Sequence, residues 1–337
     1  MKYISLFAGI GGFDLALNRH GHGCVWANEW DKYAYFLYAR HFGEIDTRSI
    51  TTVPTSEIPD HDLLVGGFPC QAFSIAGKRR GFDDTRGTLF FEIARILKDK
   101  QPKFFILENV KGLLSHDEGR TFKTIIATLT DLGYDLQWQV LNSKNFGVPQ
   151  NRERVFIVGN LRGGPRPQIF PVEADDKHVA EKSGRQLQTS QIARTLTATE
   201  HKQHGDGNYI RQLNQPRHSN NRVYGEEGIS PTLNTMQGGM RQPKVMANGI
   251  NHPSRGMEPR KDGLAATIKA GESGTQKPKA LIGMQIRRLT PVECERLQGF
   301  PDGWTEGVSD TQRYKCLGNA VTVNVVEWIV SNLPKSQ

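Results

Sequence analysis

The sequence predicts an α/β protein: a doubly wound, parallel sheet with a smaller, irregular β-rich segment set into the chain. Over roughly the first 160 residues, short apolar runs alternate with amphipathic stretches of helical spacing. Around residue 163 the texture changes, and helical spacing returns only near the C-terminus.

The alternation runs element by element. "KYISLFA" reads as a strand, "GFDLALNRHG" as a helix, "GCVWANE" as a second strand, "WDKYAYFLYARHF" as a helix and "DLLVGGF" as a third strand. "TLFFEIARILKDKQ" has helical spacing, "KFFILENV" is a buried strand, "GRTFKTIIATLTDLGY" is a helix and "RVFIVGN" another strand. From "GGPRPQ" to about residue 286 the chain is poor in long apolar runs and rich in Gly, Asn, Gln, His and Arg. A loose repeat, "IARTLTA", "ISPTLNTM" and "LAATIKAG", runs through that stretch. Recurring Thr, Leu, Ile and Tyr favour a small irregular β domain there over a disordered segment. "TPVECERLQGF" and "NAVTVNVVEWIVSNL" restore helical spacing, so the C-terminus is expected to pack back on the first domain.

At 337 residues, with 37% hydrophobic and 23% charged residues, the composition is globular and the chain can bury a sizeable core. No window approaches the roughly 18 uninterrupted apolar residues of a membrane-spanning helix. The N-terminal "YISLFAGIGGF" is interrupted by glycines and Asp14 before a signal-peptide core is complete. Cys24, Cys70, Cys294 and Cys316 are far apart and lack C-x-x-C spacing, which argues against a metal site or a disulfide framework and for a reducing cytoplasm.

The net charge of +8 is unevenly spread. Residues 1–150 hold 17 Lys and Arg against 17 Asp and Glu, whereas residues 151–290 hold 22 against 12. A basic region grafted onto a neutral body is the pattern of a polyanion binder, although a solvated basic surface has the same composition.

Four places carry chemistry. In "ISLFAGIGGFDLAL", Gly9, Gly11 and Gly12 let the backbone approach a ligand at a helix N-terminus. The pattern is G-x-G-G and not G-x-G-x-x-G, which weakens a pyrophosphate reading and with it a nicotinamide dehydrogenase. Glu29 closes the second strand, where such folds present a carboxylate to ribose hydroxyls, and Trp30 beside it can stack on an adenine. Cys70, after Pro69 in "GGFPCQAFS", stands at the end of a strand, and its position alone leaves it between packing and reactivity. Glu108 in "ENV" ends the next buried strand at the same edge, where burial raises a carboxyl pKa and suits it to general acid work beside a thiol. Arg152 and Arg154 in "QNRER", two apart, can hold a phosphate and a base carbonyl, or form ordinary ion pairs.

The order "FAGIGGF", "NEWD", "GFPCQAFS", "GTLFF", "ENV", "QNRER", "RRLTPVECERLQGFP" and "CLGNAVTVNVV" resembles the DNA cytosine-5 methyltransferase family of bacterial restriction-modification systems. The resemblance covers roughly residues 1–160 and 284–330. It implies a Rossmann-like methyltransferase sheet at 1–178 plus 309–337, with a target recognition domain and hinge at 179–308. It further implies S-adenosyl-L-methionine as cofactor and methylation of cytosine carbon 5 in a specific double-stranded DNA sequence, by base flipping and a covalent Cys70 adduct. Glu108 matches the carboxylate on ring N3, Arg154 the arginine on O2, and Arg152 its neighbour near the phosphate and the cysteine loop. Phe7, Gly9, Ile10 and Gly12 match cofactor-lining positions, Glu29 the ribose ligand, and Trp30 and Ile50 the adenine flanks. Pro69, Leu89 and Asn319 complete that pocket. Ser49 stands where many members have an acid, so its contact to the adenine amine is expected to be weaker. Gln71, Ser74, Lys78, Arg79, Arg80 and Arg222 match DNA-facing positions, and Thr232 and Leu233 the pair that anchors target recognition. The implied protein is a cytoplasmic monomer whose cognate restriction endonuclease is a genetic and not a physical partner. Rival readings are a tRNA cytosine-5 methyltransferase, whose Cys-Phe-Thr signature is missing here, and a catalytically silent DNA-binding regulator.

Overall fold

The computed structural model describes residues 1–69, 89–170 and 289–334, and the backbone of four short strands between 223 and 288. The chain runs β1 (Lys2–Leu6), α1 (Gly12–Arg19), β2 (Gly23–Asn28), α2 (Lys32–Phe42), β3 (Leu63–Gly67), α3 (Leu89–Lys100) and β4 (Phe104–Val110). It continues through α4 (Arg120–Asp131), β5 (Tyr134–Asn142), β6 (Gln150–Asn151) and β7 (Glu153–Leu161). Six of these strands form one sheet in the order β2-β1-β3-β4-β7-β5.

The central strands β1, β3 and β4 are largely apolar because both faces of the sheet are covered there. Successive side chains of β1 point to opposite sides. Ile4 and Leu6 pack with Leu64, Phe105, Leu107 and the α3 and α4 residues Ile93, Leu97, Ile125 and Leu129. Tyr3 joins the opposite core with Val65, Ile106, Leu17 and Leu37. On that second face Ser5 and the hydroxyls of Tyr3 and Tyr38 all donate to the fully buried Asp14, tying β1, α1 and α2 together. Burial raises the Asp14 carboxyl above its ordinary range against the pull of those three donors.

The sheet is not wholly parallel as expected. β1 to β4 are parallel, but β7 runs antiparallel between β4 and β5. The link from β5 to β7 is too short for the crossover that parallel neighbours require, so the two pair as a hairpin. β5 itself is an addition to the expected elements. The strict alternation of Tyr134, Leu136, Trp138 and Val140 with Asp135, Gln137 and Gln139 is a strand signal of period two, and among the described residues β5 is an edge strand with β7 as its neighbour. Reversal of β7 brings its N-terminal end to the carboxyl edge of the parallel strands, with Arg154 opposite Val110 and Phe156 opposite Glu108.

The C-terminal part contains α5 (Pro291–Leu297), α6 (Asp310–Asn319) and α7 (Val323–Ser331). Thr290 and Glu293 form a reciprocal capping box on α5, with Pro291 at its first position. Leu289, Cys294, Leu297, Phe300 and Trp304 share a core with α1 and α7. The main body therefore resumes at residue 289, and not at 309 as the sequence reading divides it. Between the two, β8 (Val223–Tyr224), β10 (Lys244–Asn248) and β11 (Met284–Arg288) form a three-stranded sheet, and β9 (Ser230–Pro231) pairs with β6. Among the described residues no helix is long and apolar enough to cross a membrane.

Two packing predictions follow from this return of the chain. A Cβ on Gly12 would lie 2.8 Å from Val321 Cγ1 and 3.0 Å from its carbonyl oxygen, so Gly12→Ala is expected to cost about 1–3 kcal/mol of unfolding free energy in chemical denaturation. Glu295, wholly buried, accepts from the N–H groups of Gly303 and Thr305, from the Thr305 hydroxyl, and from Arg313 at 3.0 Å. Glu295→Ala removes the buried carboxylate from Arg313, leaving it Thr305 and the exposed Asp310, and orphans the Gly303 and Thr305 N–H groups, so it is expected to cost about 3–5 kcal/mol in the same measurement.

Candidate active site

A pocket of about 700 Å³ opens at the carboxyl edge of β1, β3 and β4, against the N-terminus of α1. Open α/β sheets place their ligands there, where loops leave adjacent strands toward opposite faces.

The wall at the end of β1 is the glycine turn. Phe7, Gly9 and Gly11 all have positive φ, at 52°, 59° and 82°. A Cβ on Gly9 would meet only the Phe7 carbonyl, at 3.9 Å, so Gly9 leaves room on the pocket side. At Gly11 and Gly12 the missing side chains make space for protein: a Cβ on Gly11 would strike Phe42, and one on Gly12 would strike Val321. These two glycines thus also make room for protein, while Gly12 lines the pocket as well.

Glu29 follows β2 and is buried. Its Oε2 accepts from the Gly9 N–H at 2.9 Å and its Oε1 from the Asp31 N–H at 2.8 Å, so the carboxylate braces the turn across the strand gap. Burial raises its pKa, with those two N–H groups opposing. Trp30 beside it is 71% exposed and lines the pocket mouth. Asp31 caps α2 by accepting from the N–H groups of Tyr33 and Ala34, and pairs with Lys315 of α6 at 2.5 Å.

Glu108 lies near the C-terminal end of β4, one strand from Gly67, its register partner on β3. Its carboxylate is buried and pairs with Arg154 Nε at 3.0 Å. Burial raises the Glu108 pKa, while Arg154 and Arg152 pull the other way. Asn109 donates to the Phe68 carbonyl at 2.9 Å, fastening the end of β4 to the segment that leads into Pro69. Arg152 is almost wholly buried and donates to the carbonyls of Gly318 and Ala320 at 3.0 and 2.8 Å. Burial and Arg154 push its guanidinium down to about 9, which leaves it cationic at neutral pH.

Of the expected cofactor residues, Phe7, Gly9, Ile10, Gly12, Glu29, Trp30, Pro69, Leu89 and Asn319 line this pocket, together with Glu108, Arg152 and Arg154. Ser49 and Ile50 do not. Ile50 is buried in the core beneath α3, and the Ser49 hydroxyl is engaged with that of Thr51 at 2.8 Å. Cys70, Gln71, Ser74, Lys78, Arg79, Arg80, Arg222, Thr232 and Leu233 lie outside the described residues. Sequence reasoning missed Asp31, Lys315 and Trp304, the last donating to the Ile10 carbonyl at 2.9 Å. Asp31 carried a signal, an acid just before a helical pattern; for Lys315 and Trp304 the partners are 284 and 294 residues away.

The site thus combines a nucleoside-sized cavity, a braced glycine turn and a buried carboxyl–guanidinium pair one strand from Pro69. The family model described as C-5 cytosine-specific DNA methylase matches residues 1–335. A type II methyltransferase of Haemophilus parahaemolyticus, M.HhaI, is 36% identical over 100% of this chain and 95% of its own length. The type II methyltransferase M.HpaII of Haemophilus parainfluenzae is 40% identical over 96% of this chain and 87% of its own. Among solved structures, the Dnmt2 methyltransferase of S. pombe matches with a TM-score of 0.58 at 18% identity, covering 98% of this chain and 97% of its own. The methyltransferase EhMeth of Entamoeba histolytica matches at 0.60 and 16%, with the same coverage; at such identities the two show the fold. Model and relatives run the length of the chain, and the protein belongs to the C-5 cytosine-specific DNA methylase family.

Proposed function

We propose that the protein transfers a methyl group from S-adenosyl-L-methionine to carbon 5 of a cytosine in a specific double-stranded DNA sequence, through a covalent adduct on Cys70. The observation that carries the reading is the buried Glu108–Arg154 pair, one strand from β3 and the Phe68–Pro69 segment that follows it.

The residues of the pocket fit the cofactor. Each Glu29 oxygen accepts one backbone N–H and keeps a lone pair for a ribose hydroxyl. Trp30 offers an exposed indole face to an adenine. Phe7, Gly9, Ile10, Gly12, Pro69, Leu89 and Asn319 enclose the remainder. Bound there, the cofactor would supply an electrophilic methyl group.

Carbon 5 of cytosine is a poor nucleophile, and the chain's residues make it a better one. The Cys70 thiolate adds to carbon 6, forming a carbon–sulfur bond and shifting electron density to carbon 5. Glu108 in its acid form donates to ring N3 and accepts from the exocyclic amine, while Arg154 holds O2. Once carbon 5 carries the methyl group, its proton leaves to a base, the carbon–sulfur bond breaks and the thiolate is restored.

The target nucleotide has to leave the stack, at a cost of a few kcal/mol. Lys78, Arg79 and Arg80 would bind phosphates, and Gln71, Ser74 and Arg222 would face the displaced strand. Recognition of the sequence belongs to the basic segment from 179 to 288, anchored by Thr232 and Leu233. The enzyme would act as a monomer in the cytoplasm and shield its sites from a cognate restriction endonuclease.

With tritiated methyl donor and duplex DNA, Cys70→Ser is expected to abolish transfer and Glu108→Gln to slow it by about 10²-fold or more. Normal transfer by Cys70→Ser would refute the adduct, and bisulfite sequencing of DNA from expressing cells reads out the site. The pH profile tests Glu108 separately. Its folded pKa is raised, so the acid form persists above the ordinary carboxylate range and is lost as pH rises through the raised value. The rate is expected to fall on that alkaline limb, and the residual rate of Glu108→Gln to lack it.

A further inference from the structure

The glycine turn is held from the far end of the chain. We infer that Trp304 is a positioning residue for the cofactor, its indole N–H locking the Ile10–Gly11 peptide plane in the orientation that admits the ligand. The inference rests on the cofactor assignment above.

Trp304 Nε1 donates to the Ile10 carbonyl at 2.9 Å, with both residues buried. Among the described residues this is the hydrogen bond that the Ile10 carbonyl accepts. The other end of the same peptide, the Gly11 N–H, donates to the Ala8 carbonyl at 2.9 Å. Rotating the plane changes ψ of Ile10 and φ of Gly11. Glycine takes φ of either sign at little cost, and Gly11 already sits at 82°. The backbone preference of Gly11 does not prevent a flip, so the plane depends on its two hydrogen bonds, the local one to Ala8 and the one from Trp304. Because carbonyl and N–H point opposite ways across a planar peptide, a flip breaks both bonds and re-aims the turn between Ile10 and Gly12, which line the pocket on either side of it.

Residues of α2 and of the segment after α5 hold the indole still. His41 stacks on Trp304 with ring centroids 3.6 Å apart and planes 6° from parallel, and its Nε2 lies 2.8 Å from the Trp304 carbonyl. Phe42 and Phe300 flank the same ring. Glu295 takes the N–H groups on both sides of Trp304, those of Gly303 and Thr305, at 2.7 and 2.8 Å. A phenylalanine would fill much of this cage. What the indole adds is one N–H, and that N–H is spent on the pocket wall.

If the bond selects the binding-competent plane, its loss divides the affinity by the fraction that remains competent. A buried hydrogen bond of ordinary strength sets that factor at about five to ten. The test is calorimetric titration of the full chain with S-adenosyl-L-homocysteine. It compares wild type, Trp304→Phe, and a protein whose Trp304 is replaced by its benzothiophene isostere, which keeps the bicyclic ring and lacks the N–H. The Kd is expected to rise about five- to tenfold in both variants, with cofactor KM following it, kcat retained, and Kd for the methylated duplex site unchanged. If Trp304→Phe fails to fold, the isostere alone decides. A Kd within twofold of wild type in the isosteric protein overturns the inference, as does an equal weakening of DNA binding, the mark of a general loss of structure. Failure of wild type to bind S-adenosyl-L-homocysteine would instead remove the cofactor assignment, and this inference with it.

Discussion

A carboxyl group at the end of a buried strand is costly to ionise unless its charge is matched in place. Glu108 is matched by Arg154 at 3.0 Å, and Arg152 adds a second positive charge nearby. Neither arginine would reach it if β7 ran parallel to its neighbours, since its N-terminus would then lie at the opposite edge of the sheet. The reversal of one strand therefore sets the electrostatics of the pocket. Arg152 extends the dependence to the C-terminus, because its guanidinium also holds the carbonyls of Gly318 and Ala320 behind Asn319 in the wall. Three distant pieces of chain meet at one buried charge cluster.

The glycine turn shows the same economy on the other side of the pocket. Gly9 leaves space, Gly11 and Gly12 admit Phe42 and Val321, Glu29 braces the turn from the next strand, and Trp304 bonds its Ile10 carbonyl. A turn that contains several positive-φ residues is not stiff by nature. Contacts from β2, α2 and the segment after α5 confine it to one shape, which a site that binds without rearrangement requires.

Much of the fold was legible in the residue pattern. Phe7 and Pro69 follow the strands Lys2–Leu6 and Leu63–Gly67, and Glu108 is the first polar residue of the strand Phe104–Val110, so the candidate site residues stood out as polar or special positions at or just after the ends of apolar runs. β5 was overlooked although its alternation is regular, because an edge strand with exposed Trp138 and partly covered polar positions looks like surface. The restart of the main body at 289 was placed too late. Its opening apolar residues, Leu289, Cys294 and Leu297, are spaced among charges, and only their burial against α1 and α7 reveals them as core. Ile50 shows the reverse: the family resemblance implied a pocket wall, while its side chain is buried in the core under α3.

Local order in the sequence was enough to establish that this is an α/β sheet protein with a basic insertion, and which glycine turn, carboxylates and arginines stand at strand ends. Those properties depend on hydrophobic period and on turn chemistry, which act over a few residues. The direction of β7, the use to which each glycine is put, and the pairings of Asp31 with Lys315, Arg152 with Gly318 and Trp304 with Ile10 emerged with the packed molecule. Each joins groups far apart along the chain. No periodicity encodes such a contact, because its energy exists only when burial has removed the water that both partners would otherwise bind.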